Sequence, residues 1–144
     1  MKEYIEVKPY TRKIQFYETD GMGIVHHSNY IRWFEEARVD FMEQIGFPYS
    51  RVSAMGIEFP VIEINCRYKG MSTFEECIVI KSEILSITPT RLKIGYRITQ
   101  RQSGVLRTLG SSGHCFYSNE LKRPVSLKRE IPELYELFSA QLEQ

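Results

Sequence analysis

The apolar positions of the chain change period along its length. Over residues 10–17 the β-formers Tyr10, Ile14, Phe16 and Tyr17 alternate in part with polar residues, which predicts a first strand. From Ser28 or Asn29 to Ile45 the spacing becomes helical. Tyr30, Phe34, Ala37, Phe41 and Ile45 recur every three or four residues, with Trp33 beside them. Arg32, Glu35, Glu36, Asp40 and Glu43 occupy the other face. Ser28 or Asn29 is suited to cap this helix, and Gly46 followed by Pro48 stops it. Residues 48–56 form a short connection with room for about one helical turn.

The pattern then turns to strands, at 58–68, 75–88, 91–101 and 105–118. Lys69-Gly70-Met71-Ser72, Thr88-Pro89-Thr90 and Gln102-Ser103-Gly104 supply the turns between them. Leu92, Ile94, Tyr96 and Ile98 alternate with Lys93, Gly95, Arg97 and Thr99, as expected of a sheet with one covered face. Such short links join antiparallel neighbours. Residues 124–142 read as a C-terminal helix, centred on 126–142, with Leu134, Leu137 and Phe138 as its apolar contacts. The expected class is α+β: a long central helix wrapped by a curved antiparallel sheet of about five strands.

Composition narrows the picture. At 144 residues the chain is expected to form one domain over 1–144, with a core that needs neither disulfide nor metal. A formal charge of +1 does not suggest general nucleic-acid binding, which needs a basic face, and no nucleic-acid partner is expected. Cys66, Cys77 and Cys115 are odd in number and widely spaced, which fits reduced thiols. No apolar run nears the roughly 20 residues of a membrane span. The first residues lack a signal-peptide core, so a cytoplasmic protein is expected.

The chemistry concentrates in Tyr17-Glu18-Thr19-Asp20-Gly21-Met22-Gly23-Ile24-Val25-His26-His27-Ser28-Asn29-Tyr30. A carboxylate in a glycine turn ahead of a helix sits beside free backbone N–H groups. That pairing suits attack on a carbonyl, because the N–H groups can hold the developing oxyanion. Asp20 is equally suited to bonding its own turn. Adjacent histidines rarely point at one ion, and no further ligand-spaced group accompanies His26 and His27, so no metal is expected. The chain contains no G-x-G-x-x-G or P-loop, and no cofactor is expected.

This stretch, followed by Trp33-Phe34-Glu35-Glu36-Ala37-Arg38, resembles the opening of hotdog-fold acyl-CoA thioesterases, above all the 4-hydroxybenzoyl-CoA thioesterase type. The later strand order and the link from Tyr68-Lys69-Gly70 to Phe74-Glu75-Glu76 agree, so the resemblance covers about residues 10–120. It implies hydrolysis of an acyl-CoA to a free acid and CoA. Asp20 would act as nucleophile or general base, and the backbone N–H of His27 as oxyanion donor. The His27 side chain would orient water or the acid.

Gly23 and Val25 in the turn and Tyr30 on the helix are the implied substrate contacts, Tyr30 being equally fitted to the core. Some hotdog enzymes use a helical carboxylate, which makes Glu35 a second candidate; a solvated face or a pair with Arg32 or Arg38 is its simpler role. Lys69 and Arg91, with Arg101 and Arg123, flank strand ends where CoA phosphates could lie. The resemblance also implies a homodimer joined edge to edge, or a homotetramer of such dimers. Hydrolysis of an acyl carrier protein thioester and non-catalytic binding of an acyl thioester are the alternatives. A hotdog dehydratase needs a different histidine and acid arrangement, which this chain lacks.

Overall fold

The computed structural model describes residues 3–142. In chain order, strand β1 is Tyr10–Lys13, a 3-10 turn follows at Phe16–Glu18, and helix α1 is Ser28–Gln44. Helix α2 is Tyr49–Ala54, β2 is Ile57–Glu58 and β3 is Val61–Tyr68. Strands β4 (Cys77–Ile87), β5 (Arg91–Gln100) and β6 (Leu106–Cys115) come next. The chain ends in β7 (Tyr117–Ser118), β8 (Arg123–Pro124), α3 (Leu127–Glu130) and α4 (Pro132–Leu142).

The main sheet has five antiparallel strands in the order β1-β4-β5-β6-β3, and α1 lies across it. Trp33, Phe34, Ala37, Phe41 and Met42 of α1 are buried in one core with Ile78, Ile80, Ile84, Leu92, Ile94 and Ile98 of β4 and β5. The predicted period-2 face of β5 is therefore the face that the helix covers. A small second sheet, β2-β7-β8, extends one end.

Four predicted elements are shorter or broken. The first strand stops at Lys13 because Gln15 and Glu18 bond reciprocally and fold residues 16–18 into the 3-10 turn. The strand expected over 58–68 is divided at Pro60, which has no N–H for a ladder. The strand expected over 105–118 is divided at Phe116, which enters the core and accepts from Val125 N–H at 2.8 Å. The C-terminal helix is two helices. Ser126 caps the first by accepting from Arg129 N–H at 3.3 Å, and Pro132 opens the second.

Gly110 in β6 decides how closely α1 approaches the sheet. A Cβ there would overlap the Phe34 ring and lie 2.9 Å from the Asn65 carbonyl oxygen. Phe34 itself stacks on Tyr96 with ring centroids 4.4 Å apart. Gly110→Ala must push the helix off the sheet, and we expect a loss of about 1–3 kcal/mol in urea unfolding.

Beside that contact runs a buried polar chain whose hydrogen-bond directions are fixed. The Phe59 carbonyl can only accept, so His114 Nδ1 carries the proton in their 3.1 Å bond. The neutral ring then accepts at Nε2 from Ser112 Oγ–H at 2.8 Å. Ser112 Oγ accepts from Tyr96 O–H at 2.6 Å, and the Tyr96 oxygen accepts from Arg38 at 3.2 Å. Burial, with the Arg38 charge nearby, pushes the His114 imidazole from 6.5 down to about 4, against the Phe59 bond. The unfolded chain therefore binds a proton that the folded chain refuses between those values. Stability is expected to fall as pH drops from about 6.5 towards about 4. Urea midpoints measured across that range should slope less in His114→Gln.

Candidate active site

The turn between the 3-10 helix and α1 is held from both sides. Val25, 5% exposed, donates its N–H to the Ser72 carbonyl at 2.9 Å. Thr19 bridges to Val25, and Ile24 bridges to Thr73. The Glu18 carbonyl accepts from His26 N–H at 2.9 Å and from the Asn29 amide at 2.9 Å. The opposing 69–76 segment is itself tied down. Arg107 donates to the Met71 carbonyl and to Glu76, while Lys69 and Gly70 donate N–H to the Arg107 carbonyl.

Asp20 is half-buried on this turn. Its N–H reaches the Ile24 carbonyl at 2.8 Å, and its carbonyl accepts from Gly23 N–H at 3.0 Å. Oδ1 accepts from Met22 N–H at 2.8 Å. Oδ2 has no hydrogen bond to any described residue. One carboxylate oxygen thus shapes the turn and the other is available. Gly23 has φ +78°, so a side chain there would be strained by the backbone rather than by crowding.

His27 stands at the start of α1. No described residue accepts its N–H, while its carbonyl accepts from Tyr68 O–H at 3.2 Å. The expected side-chain cap from Ser28 or Asn29 is not formed. Ser28 is the first helical residue, and His26 Nδ1 accepts its N–H at 3.2 Å. The His27 ring is exposed and packs on His26 with centroids 4.1 Å apart. Tyr30 is buried, edge-on to Trp33 and Tyr68, and burial raises its hydroxyl above the ordinary tyrosine value.

The support beneath this turn is an ion cluster that the sequence reading did not single out. Glu18 is 4% exposed and accepts from Arg12 at 2.8 Å, from Trp33 Nε1–H at 2.7 Å and from Gln15 N–H at 2.8 Å. Burial alone would raise its pKa. The bonds from Arg12, Gln15 and Trp33 outweigh burial and leave it below the ordinary glutamate value. Arg12 also pairs with Glu36 at 2.9 Å and lies over the Trp33 ring. A signal was present: a buried Trp needs an acceptor for its indole N–H, and Glu18 is one of two acids, with Asp20, in the stretch just ahead of the helix.

The other candidates are more scattered. Glu35 is exposed on α1, about 12 Å along the helix from His27, and pairs with neither Arg32 nor Arg38. Lys69 is exposed just past β3, at the same end of the sheet as Tyr68 and His27. Arg91 pairs in register with Cys115, opposite His114 and Val61, at the other end of the sheet. Within one chain it is about 30 Å from the turn, by strand length. Arg101 borders a cavity with Phe74 and Cys77 near the turn, and Arg123 lies in β8. Among the described residues no three His, Cys, Asp or Glu side chains come together as metal ligands. No described helix is long and apolar enough to cross a membrane.

A carboxylate with a free oxygen and an unpaired amide at a helix start, carried on one turn, are groups suited to acyl transfer to water. Residues 14–137 match the Thioesterase-like superfamily, and the chain belongs to it. Its fold is the hotdog fold, as the resemblance implied. A protein of Aquifex aeolicus is 34% identical over 125 residues, 87% of this chain and 94% of that one. An Escherichia coli O6:H1 protein named acyl-CoA thioester hydrolase YbgC is 24% identical over 94 residues, 65% of this chain and 70% of that one. The solved structure of a DHNA-CoA thioesterase from Staphylococcus aureus is similar at a TM-score of 0.87 and 30% identity, covering 92% of this chain and 88% of that one.

Proposed function

We propose that this protein hydrolyses acyl-CoA thioesters at the Asp20–His27 turn. The observation that carries the reading is the pairing of the free Asp20 Oδ2 with the unpaired His27 N–H on one pinned turn. The names of the E. coli and S. aureus relatives support CoA as the thiol. Asp20 either attacks the thioester carbonyl carbon itself or takes a proton from the water that does. The carbonyl electrons move onto oxygen, which the His27 N–H holds; they return as the C–S bond breaks. The thiol leaves with a proton; where Asp20 is the nucleophile, a water molecule then hydrolyses the mixed anhydride left on it, and by either route the free acid is released and Asp20 regained. A donor of this kind supplies roughly 2.7–4 kcal/mol in a comparable oxyanion hole.

The site is completed by a second protomer. Strand β3 is an edge of the sheet, and Val61, Ile62 and Tyr68 on it are exposed. A long open edge is usually covered, and antiparallel pairing of two β3 strands covers both at once. That pairing sets the Val61 end of one protomer beside the Tyr68 and His27 end of the other. Arg91 then reaches CoA phosphates only from the partner, whereas Lys69 serves its own protomer. Gly23 and Val25 let the thioester approach, and Tyr30 backs it. Light scattering should give a dimer or a dimer of dimers, with no monomer at micromolar concentration. Unpaired thiols at Cys66, Cys77 and Cys115 support action in the cytoplasm.

The test is thiol release from a panel of short, long and aromatic acyl-CoAs, the aromatic ones including 4-hydroxybenzoyl-CoA. Turnover of at least one class is expected. Release from acyl carrier protein thioesters alone would move the activity to a carrier substrate, and binding without release would make the protein an acyl binder.

A further inference from the structure

Arg38 is a buried cation short of acceptors. It is 7% exposed, yet no described carboxylate lies within ion-pair distance of it. Its guanidinium has five N–H donors. The Tyr96 oxygen takes one at 3.2 Å, and the Tyr49 hydroxyl lies beside it. The buried chain beyond Tyr96 supplies no further acceptor, because Arg38 bonds to neither Ser112 nor His114. A guanidinium left in this state is costly unless an acceptor arrives from outside.

The same side chain forms part of the wall of a cavity of about 360 Å³, together with Val39, Tyr49, Phe59 and Val61. Two acids share that wall, and neither pairs with Arg38. Glu58 is engaged by Ser53 at 2.6 Å and Asn119 at 3.2 Å, and Glu35 is exposed on the outer side of the helix. The cavity therefore combines apolar and aromatic walls with one fork-shaped donor. A carboxylate matches that fork with two parallel bonds, which a hydroxyl or a methyl end cannot do.

We propose that this cavity takes the far end of the acyl group and that Arg38 selects acyl chains ending in a carboxylate. This rests on the acyl-CoA hydrolase reading and on β3 pairing, which turns the Val61 end of one protomer towards the His27 amide of its partner. The thioester end lies at the partner's turn, and the free carboxylate lies against Arg38.

The experiment compares kcat/KM for a six-carbon acyl-CoA ending in a carboxylate with that for the plain six-carbon acyl-CoA. Wild type is expected to favour the carboxylated substrate by about 10- to 100-fold, the range of a charge-assisted hydrogen bond. Arg38→Met is expected to abolish the preference while still hydrolysing the plain chain. Arg38→Lys keeps the charge needed in the fold and should lower the preference several-fold without reversing it. Equal rates on both substrates in wild type overturn the proposal. So does a folded Arg38→Met protein, checked by circular dichroism, that loses both activities in parallel. If wild type releases thiol from neither substrate, the hydrolase reading fails on its own. Calorimetry then decides the cavity: tighter binding of the carboxylated CoA thioester upholds the assignment, and equal binding overturns it.

Discussion

Asp20→Asn is expected to lower kcat for acyl-CoA hydrolysis by about 10²- to 10⁴-fold while leaving the melting temperature close to wild type. The two halves of that expectation have separate causes. Asparagine keeps an oxygen where Oδ1 accepts from Met22 N–H, so the turn retains its shape. It loses the charge on Oδ2, the atom with no structural bond, and with it the capacity to attack or to take a proton. KM should change little, since the acid acts on the transition state rather than on ground-state binding. His27→Ala should cost much less. The proposed oxyanion donor is the backbone N–H, which alanine keeps, and the His27 ring is exposed.

The second large effect is on stability and lies underneath the first. Glu18→Ala is expected to destabilise the fold by about 3–5 kcal/mol, because it removes one of the two carboxylates that hold the buried Arg12 and strips two further buried donors of their acceptor. Arg12, Trp33 Nε1–H and Gln15 N–H all lose an acceptor together. For a chain of this size the melting temperature should drop by roughly 10–20 °C. Glu18→Gln can still accept from Trp33 and should cost less. Acid should expose the same dependence. The folded pKa of Glu18 is below its ordinary value, so its contribution is complete above that ordinary value and is lost as pH falls through the folded one. The His114 loss comes earlier on the same acid limb. Chemical denaturation of wild type and Glu18→Ala at stepped pH values should show the two curves converging at the acid end.

Much of the architecture was legible because periodicity reports burial. The apolar spacing of Tyr30, Phe34, Ala37 and Phe41 is the spacing of the buried face of α1, and Leu92, Ile94, Tyr96 and Ile98 are the covered face of β5. Element ends were less legible where one residue outweighed the run. Pro60 and Pro132 each broke an element whose apolar pattern continued past it. The turn itself could be recognised from its acid, glycines and histidines, but its supports could not. Val25 rests on Ser72, and Tyr68 reaches the His27 carbonyl, through tertiary contacts far apart in sequence. Arg38 was read only as an ion-pair partner for Glu35 and is instead buried against Tyr96, since the angle at which α1 meets β5 and β6 decides which side chains are enclosed. Arg91 followed a general rule for phosphate contacts, and its place at the far end of the sheet puts it out of reach of the turn within one chain.

The proposed function requires Asp20 and the His27 amide to form one hydrolytic centre. Single-turnover thiol release under excess enzyme tests that most directly, with wild type and Asp20→Asn compared on an acyl-CoA that calorimetry shows both to bind. Equal binding, rapid release by wild type and release slowed by about two orders of magnitude or more in Asp20→Asn are expected. Comparable release by the two proteins, with binding unchanged, would contradict it.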